Sequence, residues 1–226
     1  MAKIYIVGAG PGDPDYVTPI ARKIVRQAEL VIGSERAVKL FSNDVRGEVI
    51  ILDSRNFREV MAYAVERARS GANVVMVSTG DPGFAGLLGT FIKSFGTKLD
   101  VEVDVIPGVS VIQVCAAKLK ICWDDAVLIS LHEGVTEEKR RRLVRAVKSG
   151  KTVILLPNTR SFTVRDVVKY LLSEGVDEET IAYVCEDLTL SSERVVKATL
   201  RELMSYEGSS LCVMVITPRR SNCVEL

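Results

Sequence analysis

Three apolar runs in the first half of the chain each end in a glycine-bearing turn that leads into a helix-like stretch. Residues 4–7 run into Gly8-Ala9-Gly10-Pro11-Gly12-Asp13-Pro14, residues 74–77 into Ser78-Thr79-Gly80-Asp81-Pro82-Gly83, and residues 101–105 into Ile106-Pro107-Gly108-Val109-Ser110. Short apolar runs alternating with helical spacing predict strands covered on both faces and joined by crossovers. Loops at the carboxyl ends of parallel strands collect at one edge of an open sheet, where ligands bind. Glycine lets backbone approach a ligand or take positive φ, and proline fixes φ and removes a donor. Loops of this kind hold a small molecule largely by main chain.

The rest of the chain follows the same alternation. Thr18-Pro19 gives an N-cap and a proline at the first helical position, with Ile20, Ile24, Val25 and Ala28 at helical spacing after it. Further strands are predicted over residues 30–32, 49–52, 126–131, 153–156, 180–185, 193–198 and 211–216. Helices are predicted over residues 57–69, 87–95, 109–119, 137–148 and 163–173, with Gly71, Gly150 and Gly175 after three of them. The pattern changes near residues 118–125. The chain reads as two α/β domains, 1–119 and 120–226, with no long linker and no internal repeat.

Composition removes several function classes. With 226 residues and 47% hydrophobic content the chain can bury a real core. A net charge of +1 gives no global field towards nucleic acid or an anionic membrane surface, and no apolar run is long enough to cross a bilayer. The Lys139-Arg140-Arg141-Arg142 run points all round a helix and reads as a solvated face. Met1-Ala2-Lys3 leads directly into a strand, so no signal peptide is expected. The cysteines Cys115, Cys122, Cys185, Cys212 and Cys223 include no pair two residues apart, and His132 is the only histidine. The thiols therefore read as reduced in a cytoplasmic protein, and no metal site is expected.

The first loop invites comparison with a dinucleotide fingerprint. Gly8 and Gly10 fit it, and Glu35 stands about the right distance on. The third glycine would be residue 13, which is Asp13, so a carboxylate would lie near the pyrophosphate; Pro11 and Pro14 also remove amides that would cradle phosphate. A ligand without phosphate fits better. Asp81 before Pro82 could cap a helix or accept from a ligand ammonium or hydroxyl, and Ser110 has the same two readings. Singly each is a structural feature; together they point to a shared pocket.

These three loops resemble those of the tetrapyrrole methylases, S-adenosylmethionine-dependent enzymes of corrin and sirohaem synthesis. The resemblance spans nearly the whole chain. Trp123-Asp124-Asp125-Ala126, Ser130-Leu131-His132, Glu186-Asp187-Leu188-Thr189 and Glu193-Arg194-Val195-Val196 are most similar to the cobalt-precorrin-7 C5-methyltransferase branch, the CbiE type. Two positions depart from that branch: Cys122 replaces a proline before the tryptophan, and Glu133 replaces a glycine after the histidine.

The resemblance implies two α/β domains with the cofactor between them. It implies cofactor contacts at Pro11, Gly80, Asp81, Phe84, Ser110 and Val111, and at Leu131, His132, Leu156, Leu188 and Val213. Gly8, Gly10, Gly12 and Asp13 would face the macrocycle instead. The substrate's carboxylates require cations, for which Arg36, Arg55, Arg58, Arg160 and Arg165 are candidates. Asp13 and His132 are the candidates for proton transfer, since no Ser-His-Asp or Cys-His set stands out. A homodimer is expected, with Phe91, Ile92 and Phe95 as spare apolar surface or as core. The chain ends too early for the fused C15-methyltransferase and decarboxylase of some relatives, so that activity would belong to a separate protein. The alternatives are another tetrapyrrole position, the diphthamide-synthesis methylase, a nicotinamide-dependent oxidoreductase, or a ligand-binding module without turnover.

Overall fold

The computed structural model describes residues 3–96, 100–132, 134–158 and 160–217. The chain divides into two units, Met1–Val111 and Ile112–Leu226.

The first unit contains β1 (Lys3–Gly8), α1 (Pro19–Arg26), β2 (Leu30–Gly33), α2 (Glu35–Lys39), β3 (Glu48–Ile51), α3 (Phe57–Arg69), β4 (Val74–Ser78), α4 (Leu87–Phe95) and β5 (Glu102–Ile106). Its five strands form one sheet in the order β3-β2-β4-β1-β5, with every pairing parallel. Side chains alternate between faces with a period of two. Ile4, Ile6, Leu30, Ile32, Val74 and Met76 share one buried cluster with Val60, Met61 and Ala64 of α3 and Phe91 of α4. Val7, Val31, Val75 and Val77 share another with Ala21 and Val25 of α1 and Ala37 and Val38 of α2. Two covered faces explain the unbroken apolar runs of β2 and β4.

Local chemistry fixes the helix starts. Thr18 Oγ1 accepts from Ala21 N (3.2 Å) ahead of Pro19, as expected. Helix α2 is not marked by the sequence pattern; Ser34 caps it, and Glu35, compared above with the dinucleotide fingerprint, lies in its first turn. Asp81 does not cap a helix. Helix α4 begins at Leu87, and the oxygen that accepts from its first amide is Ser78 Oγ, 3.1 Å away. Phe91 is buried and Phe95 packs against the same cluster, whereas Ile92 is exposed. Asp44, 2% exposed, bridges Arg22 (2.6 Å) and Arg26 (2.7 Å).

The second unit takes up α5 (Val111–Lys118) and continues through β6 (Val127–Ser130), α6 (Glu137–Lys148), β7 (Val153–Leu156), α7 (Val164–Ser173), β8 (Ile181–Glu186), β9 (Arg194–Thr199) and β10 (Cys212–Ile216). The sheet order is β6-β7-β10-β8-β9. Only β6 and β7 pair in parallel; β10 runs antiparallel to both its neighbours, and β9 antiparallel to β8. Helices α6 and α7 cover one face through Leu143, Val144, Val167, Val168 and Leu171, against Ile129, Val153, Leu155, Val184 and Met214. A reciprocal capping box between Thr163 and Asp166 starts α7. The basic run in α6 is not uniformly solvated, because Arg140 lies over the rings of Phe162 (6.0 Å) and Tyr170 (5.6 Å). The sequence boundary after residue 119 and this division differ by helix α5. Glu133, Cys223 and the tail after Pro218 lie outside the described residues.

Candidate functional site

Strands β4, β1 and β5 are neighbours, so their three glycine loops leave the same edge of the first sheet side by side. The loops are in direct main-chain contact. Gly80 N donates to Gly10 O (2.7 Å), Gly10 N donates back to Gly80 O (3.3 Å), and Ala9 N donates to Ser78 O (2.8 Å). A Cβ on Gly8 would stand 2.5 Å from Gly108 Cα and 2.7 Å from Gly80 O; a Cβ on Gly108 would stand 2.5 Å from Gly80 O. No side chain other than hydrogen fits at the point where the three loops meet. Gly10 and Gly80 also take φ of +81° and +68°, values that favour glycine.

Asp81 ties the second loop to the third. Its Oδ1 accepts from Gly83 N (2.8 Å) and its Oδ2 from Gly108 N (3.1 Å). Arg36 Nη2 donates to Pro11 O (2.6 Å), so this cation is engaged with the first loop's main chain. Asp13 Oδ1 accepts from Asp15 N (2.8 Å) and starts a short 3-10 turn. Of the other arginines considered for substrate, Arg55 is paired with Asp53 (2.7 Å) and Arg165 with Glu207 (2.6 Å).

The expected residues of the second unit also share one sheet edge. Leu131 and Leu156 lie at the adjacent carboxyl ends of β6 and β7, where Leu131 N donates to Leu156 O (2.9 Å). Asn158 Nδ2 donates to the carbonyls of Leu131 (3.2 Å) and His132 (3.3 Å) and fixes that corner. His132 is exposed, and its backbone N donates to Ser130 Oγ (3.3 Å). Leu188 follows β8, and Val213 lies near the start of the antiparallel β10, opposite Cys185.

Sequence reasoning missed the polar groups that stiffen this second edge. Glu186, 4% exposed, pairs with Arg194 (2.7 Å) and accepts from Ser209 N (2.5 Å). Asp187 accepts from the hydroxyls of Ser209 (2.7 Å) and Ser192 (3.0 Å). The Glu186-Asp187-Leu188-Thr189 and Glu193-Arg194 strings were the available signal. Burial pushes the Tyr206 phenol up to about 12, with Glu186 adding to the shift, and burial pushes the Cys212 thiol to about 12 as well. Both are neutral at pH 7, so neither supplies an anionic base or nucleophile there.

Residues 3–204 match the family model for Tetrapyrrole (Corrin/Porphyrin) Methylases. The chain is 39% identical over 212 residues to a probable cobalt-precorrin-7 C(5)-methyltransferase of Methanocaldococcus jannaschii, covering 94% of this chain and 96% of that one. Among solved structures it is similar to the precorrin-6Y methylase CbiE of Archaeoglobus fulgidus, with a TM-score of 0.72, 26% identity and coverage of 97% and 99%. It is also similar to the cobalt precorrin-4 methyltransferase CbiF, with a TM-score of 0.79, 26% identity and coverage of 96% and 94%.

Proposed function

Because the chain belongs to the tetrapyrrole (corrin/porphyrin) methylases, it is an S-adenosylmethionine-dependent methyltransferase, and we propose that its acceptor is C5 of cobalt-precorrin-7 in cobalamin biosynthesis. The observation that carries the choice of acceptor is the 39% identity along nearly the whole length of both chains.

The residues present suit this cofactor. It carries an ammonium and a sulfonium and no phosphate. The loops lack amide donors at Pro11, Pro14, Pro82 and Pro107, and they carry Asp13 and Asp81 where a phosphate would be repelled. Bound there, S-adenosylmethionine supplies an electrophilic methyl group. Pro11, Gly80, Asp81, Phe84, Ser110 and Val111 would hold it at the first sheet's edge, and Leu131, His132, Leu156, Leu188 and Val213 at the second's. Gly8, Gly10, Gly12 and Asp13 would face the tetrapyrrole, with Arg36 positioning that loop through Pro11.

The macrocycle provides the carbon nucleophile, so the protein's task is to align the partners and exclude water. Alignment of this kind can supply about 7–11 kcal/mol at best. No indispensable base is then required, and Asp13 and His132 remain the groups that could move a proton. We further read the chain as a cytoplasmic homodimer. Among the described residues no helix is long and apolar enough to cross a membrane.

A second acceptor position is the reading to beat, because the chain is also 30% identical to a cobalt-precorrin-4 C(11)-methyltransferase of the same organism. Incubation with isotope-labelled cofactor and each cobalt-precorrin, followed by mass spectrometry, separates the two. Label in the product from cobalt-precorrin-7 is expected; label only from cobalt-precorrin-4 overturns the assignment.

A further inference from the structure

Leu188 sits between two left-handed residues, one of which, Thr189, is of a type that avoids that conformation. Asp187 and Thr189 on either side of it have φ of +48° and +70°, in the left-handed region. Thr189 is β-branched, and such residues avoid that region unless the surroundings impose it. Leu190 N donates to Asp187 O (2.9 Å), and Glu193 N donates to Leu190 O (3.0 Å), so two successive turns are closed here. Leu188 itself is buried, 3% exposed.

Three carboxylate contacts impose the geometry. Ser192 Oγ and Ser209 Oγ hold the two oxygens of Asp187. Glu193 Oε2 accepts from Thr189 N (2.8 Å), the amide of the second left-handed residue. The other oxygen of Glu193 is paired with Lys118 Nζ, in the last turn of α5. Lys118 beside it, then the Thr189 amide, hold the Glu193 carboxyl below its ordinary value. Helix α5 begins at Val111, directly after Ser110, so one carboxylate links the turn at Leu188 to the helix that continues the third glycine loop.

We infer that Glu193 is a positioning residue of the cofactor site, which through the Thr189 amide and the Lys118 ammonium holds the strained turn around Leu188 and fastens it to α5. The inference rests on the assignment of Leu188 and Val111 to S-adenosylmethionine. Residues held in costly backbone conformations collect at ligand clamps and persist because surrounding groups over-determine them. Glu193 does not touch the ligand in this reading. It keeps the backbone through Leu188 in the bound shape, so that binding does not have to order it.

The test compares Glu193→Ala, Glu193→Gln and Lys118→Met with the unaltered chain, using S-adenosylhomocysteine calorimetry, steady-state turnover and amide hydrogen exchange. Glu193→Ala is expected to raise Kd and the cofactor KM about tenfold, with kcat at saturating cofactor within about twofold. Glu193→Gln keeps an acceptor for Thr189 N but loses the ion pair, so its effect is smaller, about threefold, and matches Lys118→Met. The double variant Lys118→Met with Glu193→Gln is no worse than either single. Without ligand, exchange across residues 187–193 accelerates in Glu193→Ala. Unchanged exchange or an unchanged Kd overturns the inference, and a fall in kcat with KM intact would make Glu193 part of the chemistry instead. If Glu193→Ala does not fold, the Gln and Met variants decide. If the unaltered chain binds no S-adenosylhomocysteine, the cofactor assignment fails and the positioning role falls with it, and exchange still reports separately whether Glu193 holds the turn.

Discussion

Gly8→Ala probes the convergence of the three loops with a single methyl group. Gly8 ends β1 at ordinary extended backbone, so alanine there carries no left-handed penalty, and the cost is steric. The new carbon would lie 2.5 Å from Gly108 Cα, 2.5 Å from Gly108 N and 2.7 Å from Gly80 O. Carbon atoms prefer about 3.5–4.0 Å, so the overlap is about 1 Å against main chain from two different loops. Main chain cannot rotate aside as a side-chain tip can, and β1 is hydrogen-bonded on both sides by β4 and β5. Overpacking costs about 1–3 kcal/mol, and this site belongs at the upper end, about 3 kcal/mol. Relief comes from parting the loops, which also spoils the ligand site, so S-adenosylhomocysteine affinity should fall at least about tenfold, equivalent to about 1.4 kcal/mol. Urea unfolding and calorimetry on the same preparation measure both. Gly150→Ala is the control: its φ is +73° with nothing within 4 Å of the added carbon, so it should lose about 1–2 kcal/mol of stability with affinity unchanged. A Gly8→Ala protein with normal stability and affinity, or a control that loses as much affinity, refutes the reasoning.

Asp81→Ala removes the acceptor for two amides and should cost about 1–3 kcal/mol of stability while weakening cofactor binding by more; intact affinity in a destabilised protein would strike Asp81 from the cofactor contacts. Asp44→Asn should cost about 1–3 kcal/mol, less than a fully buried pair, because Arg26 can reach solvent. Burial works against the Asp44 charge, yet Arg22 and Arg26 prevail and hold the carboxyl below its ordinary value; the stability it contributes is therefore present above pH about 4 and lost as pH falls through the lower folded value. Urea midpoints from pH 7 to pH 2 should fall with acid more steeply in the unaltered chain than in the variant, and parallel curves would count against the ion pair. His132→Ala should leave turnover measurable, since alignment is the proposed source of rate; a loss of several orders of magnitude at normal affinity makes His132 a base or electrostatic catalyst.

The fold was legible where one residue type decides a local conformation. Thr18-Pro19 start α1, and α3, α4, α6 and β7 fall at the residues that periodicity and the flanking glycines mark. Helix α2 was not legible because it spans only five residues, too few for a helical period to register. The order β3-β2-β4-β1-β5 and the antiparallel entry of β10 between β7 and β8 are set by packing over long separations, which apolar runs do not encode. Asp81 misled for a related reason. A carboxylate before Pro82 has the form of a cap, but Ser78, nine residues before Leu87, meets the helix first and leaves Asp81 to bind Gly83 and Gly108.

The two candidate edges differ in what their sequences could disclose. At the first sheet the work falls to main chain, and main chain that must pass within van der Waals contact of other main chain demands glycine. Gly8 and Gly108 therefore advertise their convergence directly, and Gly80 advertises the left-handed turn between them. At the second sheet the backbone is equally constrained, yet Asp187 and Thr189 occupy left-handed conformations without glycine. There the conformation is imposed from outside by Ser192, Ser209 and Glu193. A turn stabilised by its own residue type can be read locally, whereas a turn stabilised by its neighbours can be read only once the neighbours are in place. That difference also sets the mutational signature: substitutions at the first edge should act at the residue itself, and those at the second should act through partners and be non-additive with them.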